Sequence, residues 1–260
     1  MSDLVIVEID DHVCTVTLNR PEARNALNTA LHLASAAALA EAEASDDVDV
    51  VVLTGADPSF CAGLDLKELG AGGANLSGGG GDPDGPRWTN PIQAVWEMTT
   101  PVIGAINGAC VTGGLELALG CDFLVASERA TFADTHARVG VTPGGGMSVY
   151  LPMAVGLRRA KEMSLTGNFI DATEAHRIGL VNHMVDHDTL LSAARRLAAD
   201  VAGNDGPTVR HLKDLYDQNA RLTVGDALAN EQSVFRSYHV DFDEIERRRG
   251  DVTDRGRSQH

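Results

Sequence analysis

The chain of 260 residues is 43% hydrophobic, so it can bury a large core within one or two domains. Its formal net charge of −16 argues against nucleic acid as a general partner, because a phosphate backbone is held by positive charge. No apolar stretch approaches the length of a membrane span, and the first residues lack the basic and apolar pattern of a targeting signal. We therefore expect a cytoplasmic protein that binds neither nucleic acid nor membrane.

The cysteines and the common chemical motifs narrow the class further. Cys14, Cys61, Cys110 and Cys121 lie in or beside apolar runs without metal-ligand spacing, so we expect buried, reduced thiols and no metal site. The sequence lacks the nucleophile elbow of serine hydrolases and the phosphate-binding loop of nucleotide hydrolases. Its glycine-rich stretch does not fit a dinucleotide-binding fingerprint, since no strand leads into it.

Hydrophobic periodicity predicts strands that alternate with helices. The predicted strands cover residues 4–9, 13–18, 48–54, 102–106, 123–126 and 181–185. Asn28 or Thr29 can cap an alanine-rich helix over residues 30–44, between the second strand and the third. Because strands and helices alternate from there on, we predict an α/β fold with a largely parallel core. Residues 70–86 are rich in glycine and predict a mobile loop, either a flap over a bound substrate or a surface insertion.

Two stretches predict backbone N–H groups that a ligand can reach. In residues 101–121, a short strand leads through a turn to Gly113, which opens an apolar helix with Glu116 in its first turn. Residues 59–69 follow the predicted strand over 48–54, and a turn that includes Gly63 again leads from a strand into a helix. A helix N-terminus favours a negatively charged oxygen, and a glycine there lets the oxygen approach closely. The pattern alone fits equally well a buried strand–helix unit in which Glu116 only faces the helix dipole. Residues 140–146 form a second glycine-rich loop suited to close approach.

A series of motifs occurs in an order that is specific to one enzyme family. They are Arg24-Asn-Ala-Leu-Asn28, Phe60-Cys-Ala-Gly-Leu-Asp65, Ile106-Asn-Gly108, Gly113-Gly-Leu-Glu-Leu-Ala118, Cys121-Asp122, Gly140-Val-Thr-Pro-Gly-Gly-Gly146, Leu165-Thr-Gly167 and Ile178-Gly-Leu-Val-Asn182. This ordered set, from about residue 4 to about residue 235, resembles the crotonase family, also called enoyl-CoA hydratase/isomerase. The resemblance implies an α/β fold built as a crotonase-like spiral of ββα turns with a C-terminal helical region.

The resemblance also suggests how the chain is divided. We expect a spiral core over residues 1–187, a helical oligomerisation region over 188–240 and a polar C-terminal tail over 241–260. In the family these helices pack against neighbouring subunits, which implies a homotrimer or a dimer of trimers. The resemblance fades in the tail, where the arginines at 247–249 either are solvated or reach a phosphate on a neighbouring subunit.

The implied substrate is an acyl-CoA thioester, with coenzyme A as part of the substrate and no separate cofactor. Carried over by motif, the backbone N–H groups of Ala62 and Gly113 form an oxyanion hole that stabilises enolate charge on the thioester oxygen. Because the chain is strongly acidic, an anionic ligand must rely on local arginines and amides. The positions implied for substrate or coenzyme A are Arg24, Ala26, Ala62, Gly63, Leu64, Asp65, Leu66 and Gly113. A solvated surface side chain is the competing interpretation of Arg24.

The catalytic residues implied by the resemblance are Glu116 and His136. Glu116 matches the first of two acids used by the family's hydratases, but His136 stands where the second acid is expected. A histidine can serve as an acid or base near neutral pH, and Asp134 is a possible substitute carboxylate. We therefore expect an enzyme that adds water to, or removes it from, a 2-enoyl-CoA. The alternatives are a double-bond isomerase with a single acid and a catalytically silent CoA-binding protein.

Overall fold

The computed structural model describes residues 4–70, 87–240 and 242–258. It divides into two compact units, Met1–His211 and Leu212–His260. Of the glycine-rich stretch predicted as a loop, only Gly70 lies within the described residues. None of the described helices is long and apolar enough to span a membrane.

The strands and helices follow the alternation that the sequence predicts. The strands are β1 Val5–Asp10, β2 Val13–Leu18, β3 Val50–Gly55, β4 Ser59–Cys61, β5 Val102–Ile106, β6 Ala109–Val111, β7 Phe123–Ser127, β8 Thr131–Ala133, β9 Ile170–Asp171 and β10 His183–Val185. The helices of the first unit are α1 Thr29–Ala44, α2 Leu66–Gly70, α3 Pro91–Glu97, α4 Gly113–Gly120, α5 His136–Val139, α6 Met147–Val155, α7 Leu157–Thr166, α8 Ala172–Arg177 and α9 Leu190–Ala202. The helix α10, Gly206–Asn219, crosses into the second unit, where α11 Val224–Ser237 and α12 Phe242–Ser258 follow.

The strands form two sheets that the chain visits in turn. The larger sheet has the order β1-β2-β3-β5-β7-β10 and is parallel except for the β1–β2 hairpin. The smaller sheet has the order β4-β6-β8-β9, with only β8 and β9 antiparallel. Each of the pairs β3–β4, β5–β6 and β7–β8 therefore places one strand in each sheet before the next helix. This repetition confirms the predicted spiral of ββα turns and its largely parallel core.

Both faces of the larger sheet are covered, as a parallel sheet requires. Helices α1, α3 and α4 belong to the main apolar core with β2 and β3. On the other face, Leu190, Ala194 and Ala198 of α9 pack against strand residues such as Val52 and Ile103. Helix α9 is thus part of the first unit, which continues to His211, whereas the sequence-based division ended the core at residue 187.

The residues expected to form a polar C-terminal tail include a helix. Residues Phe242–Ser258 form helix α12. Its arginines are compatible with a helix, and Arg249 pairs with Glu246 one turn earlier. Thr223 caps the preceding helix, α11, by accepting a hydrogen bond from the amide of Asp226. The role of these helices in assembly stays a prediction.

Asn25 fixes the loop that leads from β2 towards the candidate site. Its side chain is fully buried, and Nδ2 donates to the carbonyl oxygens of Ala56 at 2.8 Å and Ser59 at 2.6 Å. Its Oδ1 accepts from the amide of Arg20 at 2.8 Å. Buried carbonyls need donors, so this asparagine joins the loop to the β3–β4 connection.

Candidate active site

Glu116 is a buried carboxyl group in the first turn of α4. Its side chain is 4% exposed, and Oε1 accepts a hydrogen bond from the amide of Gly145 at 2.7 Å. The amide of Met147 also donates to this carboxyl group. A Cβ at Gly145 would lie 2.5 Å from Cδ of Glu116, so only glycine lets the loop over residues 140–146 close on the acid. This contact is the close approach that the glycines of the loop predict.

His136 lies beside Glu116 at the start of α5. Its Nε2 is 4.0 Å from Oε2 of Glu116. Its Nδ1 lies 2.6 Å from Oδ1 of Asp134, which also accepts a hydrogen bond from the His136 amide at 3.1 Å. His136 is 7% exposed and Asp134 is 1% exposed. The structure therefore brings both predicted catalytic residues together, with Asp134 behind the histidine rather than in its place.

The two carboxyl groups have opposite electrostatic environments. Burial raises the pKa of Glu116, and the opposing effects of His136 and of the amide donors do not cancel it. Burial also acts to raise the pKa of Asp134, but hydrogen bonds from His136 and Ser164 outweigh it, and the pKa is lowered. Asp134 is consequently held as a carboxylate, while Glu116 retains its proton to higher pH than an exposed glutamate.

The amide expected from Ala62 is not available for a substrate. The N–H group of Ala62 donates to the carbonyl oxygen of Arg24 at 3.1 Å. Gly63 has a φ of +88°, a left-handed conformation that turns the chain at this residue. The next amide, that of Leu64, therefore points in a different direction from the amide of Ala62. Among the described residues, neither Leu64 nor Gly113 has a hydrogen-bond acceptor for its amide.

The amide pair in the structure is therefore that of Leu64 and Gly113. A Cβ built on Gly113 would lie 3.6 Å from the nitrogen of Leu64. The two N–H groups thus flank one small space at the N-terminus of α4, the end whose dipole favours negative charge. The expectation for Gly113 is compatible with this geometry, whereas Ala62 is corrected to Leu64.

Thr112 connects the two halves of the site, and the sequence analysis missed it. Its φ of +53° is costly for a β-branched residue, on the order of 1–3 kcal/mol. Its hydroxyl group lies 2.6 Å from that of Thr135 and accepts from the Thr135 amide at 3.1 Å. These bonds tie the residue before Gly113 to the residue before His136.

The positions expected to bind coenzyme A lie along one edge of the same region. Arg24 is exposed, while Ala26 is buried and its carbonyl oxygen accepts from Nη1 of Arg20 at 3.0 Å. The same nitrogen lies 2.6 Å from Oδ2 of Asp65, and this bond lowers the pKa of Asp65. Leu66 is exposed at the start of α2. Arg20, which the sequence analysis did not select, therefore holds Asp65 in position.

The fold and the site together indicate a class of enzyme. The amides of Leu64 and Gly113, beside the start of α4, can hold an oxyanion, and the neighbouring carboxyl and imidazole groups can move protons. These groups are typical of an enzyme whose chemistry uses backbone donors and acid–base side chains. Among the described residues, no group of three or more His, Cys, Asp or Glu side chains could hold a metal ion.

The chain belongs to the enoyl-CoA hydratase/isomerase family, whose model matches residues 8–250. It is 37% identical over 227 residues to the probable enoyl-CoA hydratase 1, peroxisomal, of Arabidopsis thaliana, covering 87% of this chain and 83% of that protein. It is 34% identical over 212 residues to the 1,2-epoxyphenylacetyl-CoA isomerase of Escherichia coli, covering 78% and 77%. The crystal structure of enoyl-CoA hydratase from Mycobacterium tuberculosis H37Rv aligns with a TM-score of 0.75 and 51% identity over 90% of this chain and 98% of that one.

The raised pKa of Glu116 predicts how stability depends on pH. The folded chain keeps this proton to higher pH than the unfolded chain, so the associated stability is present below the ordinary pKa of 4.5 and is lost as pH rises through the folded value. Glu116→Gln removes this titration. Its free energy of unfolding, relative to wild type, should therefore increase from pH 4 to pH 8 in urea titrations.

Glu43 provides a control, because its effect on the free energy of unfolding should depend on pH in the opposite direction. Burial acts to raise its pKa, but hydrogen bonds from Thr99 and Thr100 outweigh burial and lower it. Its contribution to stability is therefore present at high pH and lost as pH falls. Glu43→Gln should become less stable relative to wild type over the same range. Equal slopes for the two variants would contradict the assignment of Glu116.

Proposed function

We propose that the chain adds water to the double bond of 2-enoyl-CoA thioesters and catalyses the reverse dehydration. The observation that carries this proposal is the 4.0 Å separation between Oε2 of Glu116 and Nε2 of His136. This gap is too long for a direct hydrogen bond, but one water molecule can lie ~2.8 Å from both atoms. The names of the relatives, which include enoyl-CoA hydratases, support the same reaction.

The chemistry needs a place for the negative charge that water addition creates. When a nucleophile attacks the β-carbon, the electrons of the double bond move towards the thioester oxygen. The amides of Leu64 and Gly113 can donate to this oxygen, and their charge stabilisation grows as the enolate forms. One such donor contributes roughly 2.7–4 kcal/mol in a well-studied protease. Protonation of the α-carbon then completes the addition.

Double-bond isomerisation is the second candidate, and one feature of the site favours it. Glu116 is the acidic residue of α4, the helix that begins at Gly113, whereas Asp134 is bonded to His136. A single acid suffices to move a proton between two carbons of an enolate. The isomerase name of the Escherichia coli relative is consistent with this alternative. The third candidate function is binding of coenzyme A thioesters without catalysis.

Crotonyl-CoA and a 3-enoyl-CoA, used as separate substrates, distinguish these three functions. Hydration removes the enoyl absorbance and forms a 3-hydroxyacyl-CoA, whereas isomerisation of a 3-enoyl-CoA produces that absorbance. We expect hydration by the wild type and a loss of about 10²–10⁴ in kcat for both Glu116→Gln and His136→Ala. Wild-type hydration by His136→Ala from pH 5 to pH 9 would contradict the proposed role of His136. Binding of acyl-CoA without any turnover would support the third function.

Substitutions at two adjacent glycines test whether the amides of Leu64 and Gly113 bind the thioester oxygen. A Cβ at Gly113 meets nothing closer than 3.5 Å, so Gly113→Ala should fold normally. Its methyl group would nevertheless lie over the Leu64 amide and block the thioester oxygen, lowering kcat/KM by about 10²-fold or more. A Cβ at Gly114 would lie 2.1 Å from the carbonyl oxygen of Cys61, so Gly114→Ala should lower stability instead.

Thermal unfolding and turnover of both variants provide the measurement. We expect Gly113→Ala to retain the wild-type melting temperature and lose activity, while Gly114→Ala loses melting temperature. Wild-type kcat/KM in folded Gly113→Ala would rule out this oxyanion hole.

We further propose that the chain acts in the cytoplasm as a homotrimer or a dimer of trimers, and that coenzyme A enters only as part of the substrate. Arg24 and Ala26 would lie along the nucleotide part of that substrate, together with residues 63–66. The exposed apolar side chains of α11 support assembly, since large apolar surfaces on a monomer are unusual. They include Val224, Leu228 and Phe235.

Light scattering tests this assembly directly. At micromolar concentration we expect a mass of three or six chains, because burial of the apolar side chains of α11 stabilises the association. Leu228→Asp should weaken the assembly, whereas Asn204→Asp, on a loop outside α11, should not. A monomeric wild type would refute the proposal.

A further inference from the structure

We propose that Asp134 is a positioning residue that makes His136 the base that activates water, so that Glu116 donates the proton to the α-carbon. The inference rests on the proposed function and deepens it, because it assigns separate roles to the two groups. It also gives a role to the buried carboxylate that the proposed reaction leaves unused.

The hydrogen bonds of Asp134 fix the orientation and tautomer of the histidine ring. A carboxylate only accepts hydrogen bonds, so the 2.6 Å contact with Nδ1 requires the proton to be on Nδ1. The bond from the His136 amide to the same oxygen, at 3.1 Å, holds the carboxylate in place. In the neutral ring, Nε2 then carries a lone pair on the side of Glu116. His136 is therefore a base whose Nε2 lone pair is directed towards Glu116.

The charged groups near the His136 ring are two carboxyl groups, to which we assign different roles. Asp134 and Glu116 are the charged groups that interact with the ring among the described residues. Helix α7, which packs against α5, contributes the hydroxyl group of Ser164 to Asp134. Arg138, on α5 itself, bonds instead to Asn168 at 3.0 Å.

The environments of the two acids differ in the same sense as these roles. The pKa of Asp134 is lowered and that of Glu116 is raised, so the carboxyl group behind the imidazole is the stronger acid and the one in front holds its proton more firmly. An anion behind the ring stabilises the imidazolium that forms when His136 takes a proton. Because the neutral ring carries no proton on Nε2, Glu116 is the group across the gap that can supply one.

The proposed steps balance in atoms and electrons. The water oxygen forms a bond to the β-carbon while its proton passes to Nε2 of His136. The electron pair of the double bond moves through the α-carbon to the thioester oxygen, which the amide pair holds. Glu116 then gives its proton to the α-carbon, and the enolate returns to a thioester. The imidazolium finally returns one proton to the Glu116 carboxylate, so no oxidant, reductant or co-reactant is needed.

Asp134→Asn tests the charge of the residue in turnover. The variant can still accept hydrogen bonds through Oδ1 but loses the negative charge that stabilises the imidazolium. We expect kcat for crotonyl-CoA to fall about 10²–10⁴-fold with little change in KM. A purely structural role would instead raise KM or lower the melting temperature along with any fall in kcat.

A second Asp–His pair provides a matched control outside the site. Oδ2 of Asp57 lies 3.2 Å from Nε2 of His187, and Oδ1 accepts from the side chain of Asn107 at 2.8 Å. Asp57→Asn removes an Asp–His pair that is more exposed, without touching the amides or the acid. It should leave kcat unchanged. Circular dichroism melts of both variants show whether the chain is folded.

Nitrogen-15 NMR tests the tautomer without any substrate. In histidine-labelled protein, the His136 signals are identified by their absence in His136→Gln. We expect the neutral ring of wild type to carry its proton on Nδ1, and Asp134→Ala, which removes the acceptor, to shift a measurable fraction of it to Nε2. A wild-type proton on Nε2, or an unchanged tautomer in Asp134→Ala, would overturn the inference.

The two measurements separate failure of this inference from failure of the proposed function. If wild type hydrates no enoyl-CoA, the hydratase proposal fails, while the NMR result still supports or overturns the positioning of His136. If wild type hydrates and Asp134→Asn keeps wild-type kcat, the hydratase proposal stands and the role of Asp134 is overturned.

Discussion

The close approach of two backbone corners is the constraint on which the site depends. One corner follows β4 and the other follows β6, and they meet without room for side chains. A Cβ at Gly63 would lie 2.8 Å from the carbonyl oxygen of Val111, and one at Gly114 would lie 2.1 Å from that of Cys61. Parallel pairing of β4 with β6 sets this separation. Because the corners come this close, the amides of Leu64 and Gly113 lie side by side where α4 begins, and neither has an acceptor within the described part of the chain.

Burial around this space gives the acid–base groups their character. The site retains a carboxyl group whose ionisation is opposed by desolvation, which is the kind of local cost that functional sites carry at the expense of stability. His136 does not stand alone, since Asp134 is bonded to Nδ1 of its ring. The ring therefore lies between two carboxyl groups, with Asp134 at Nδ1 and Glu116 on the side of Nε2.

Local sequence patterns predicted much of the fold for a physical reason. Buried strands and amphipathic helices differ in hydrophobic period, and glycine and proline punctuate them, so the ββα order is encoded locally. Local sequence patterns did not predict the C-terminal boundary of the core in the same way. Helix α9 has the composition of a surface helix of the C-terminal region, but one face of the larger sheet remains apolar until α9 covers it. This apolar face exists only after strands that are distant in the sequence have paired into a sheet.

The sequence by itself determined the α/β class, the ββα order and the place of Glu116 in the first turn of a helix, which follow from residue type and spacing. His136 was selected from the sequence through the family resemblance. Only the tertiary structure decided which amide faces Gly113, because the left-handed turn at Gly63 directs the Ala62 amide to Arg24 and leaves that of Leu64 free. It also decided that Asp134 lies behind His136 and that Arg20 holds Asp65. Directions of N–H groups and side chains depend on contacts between segments far apart in the chain, and a linear pattern does not carry them.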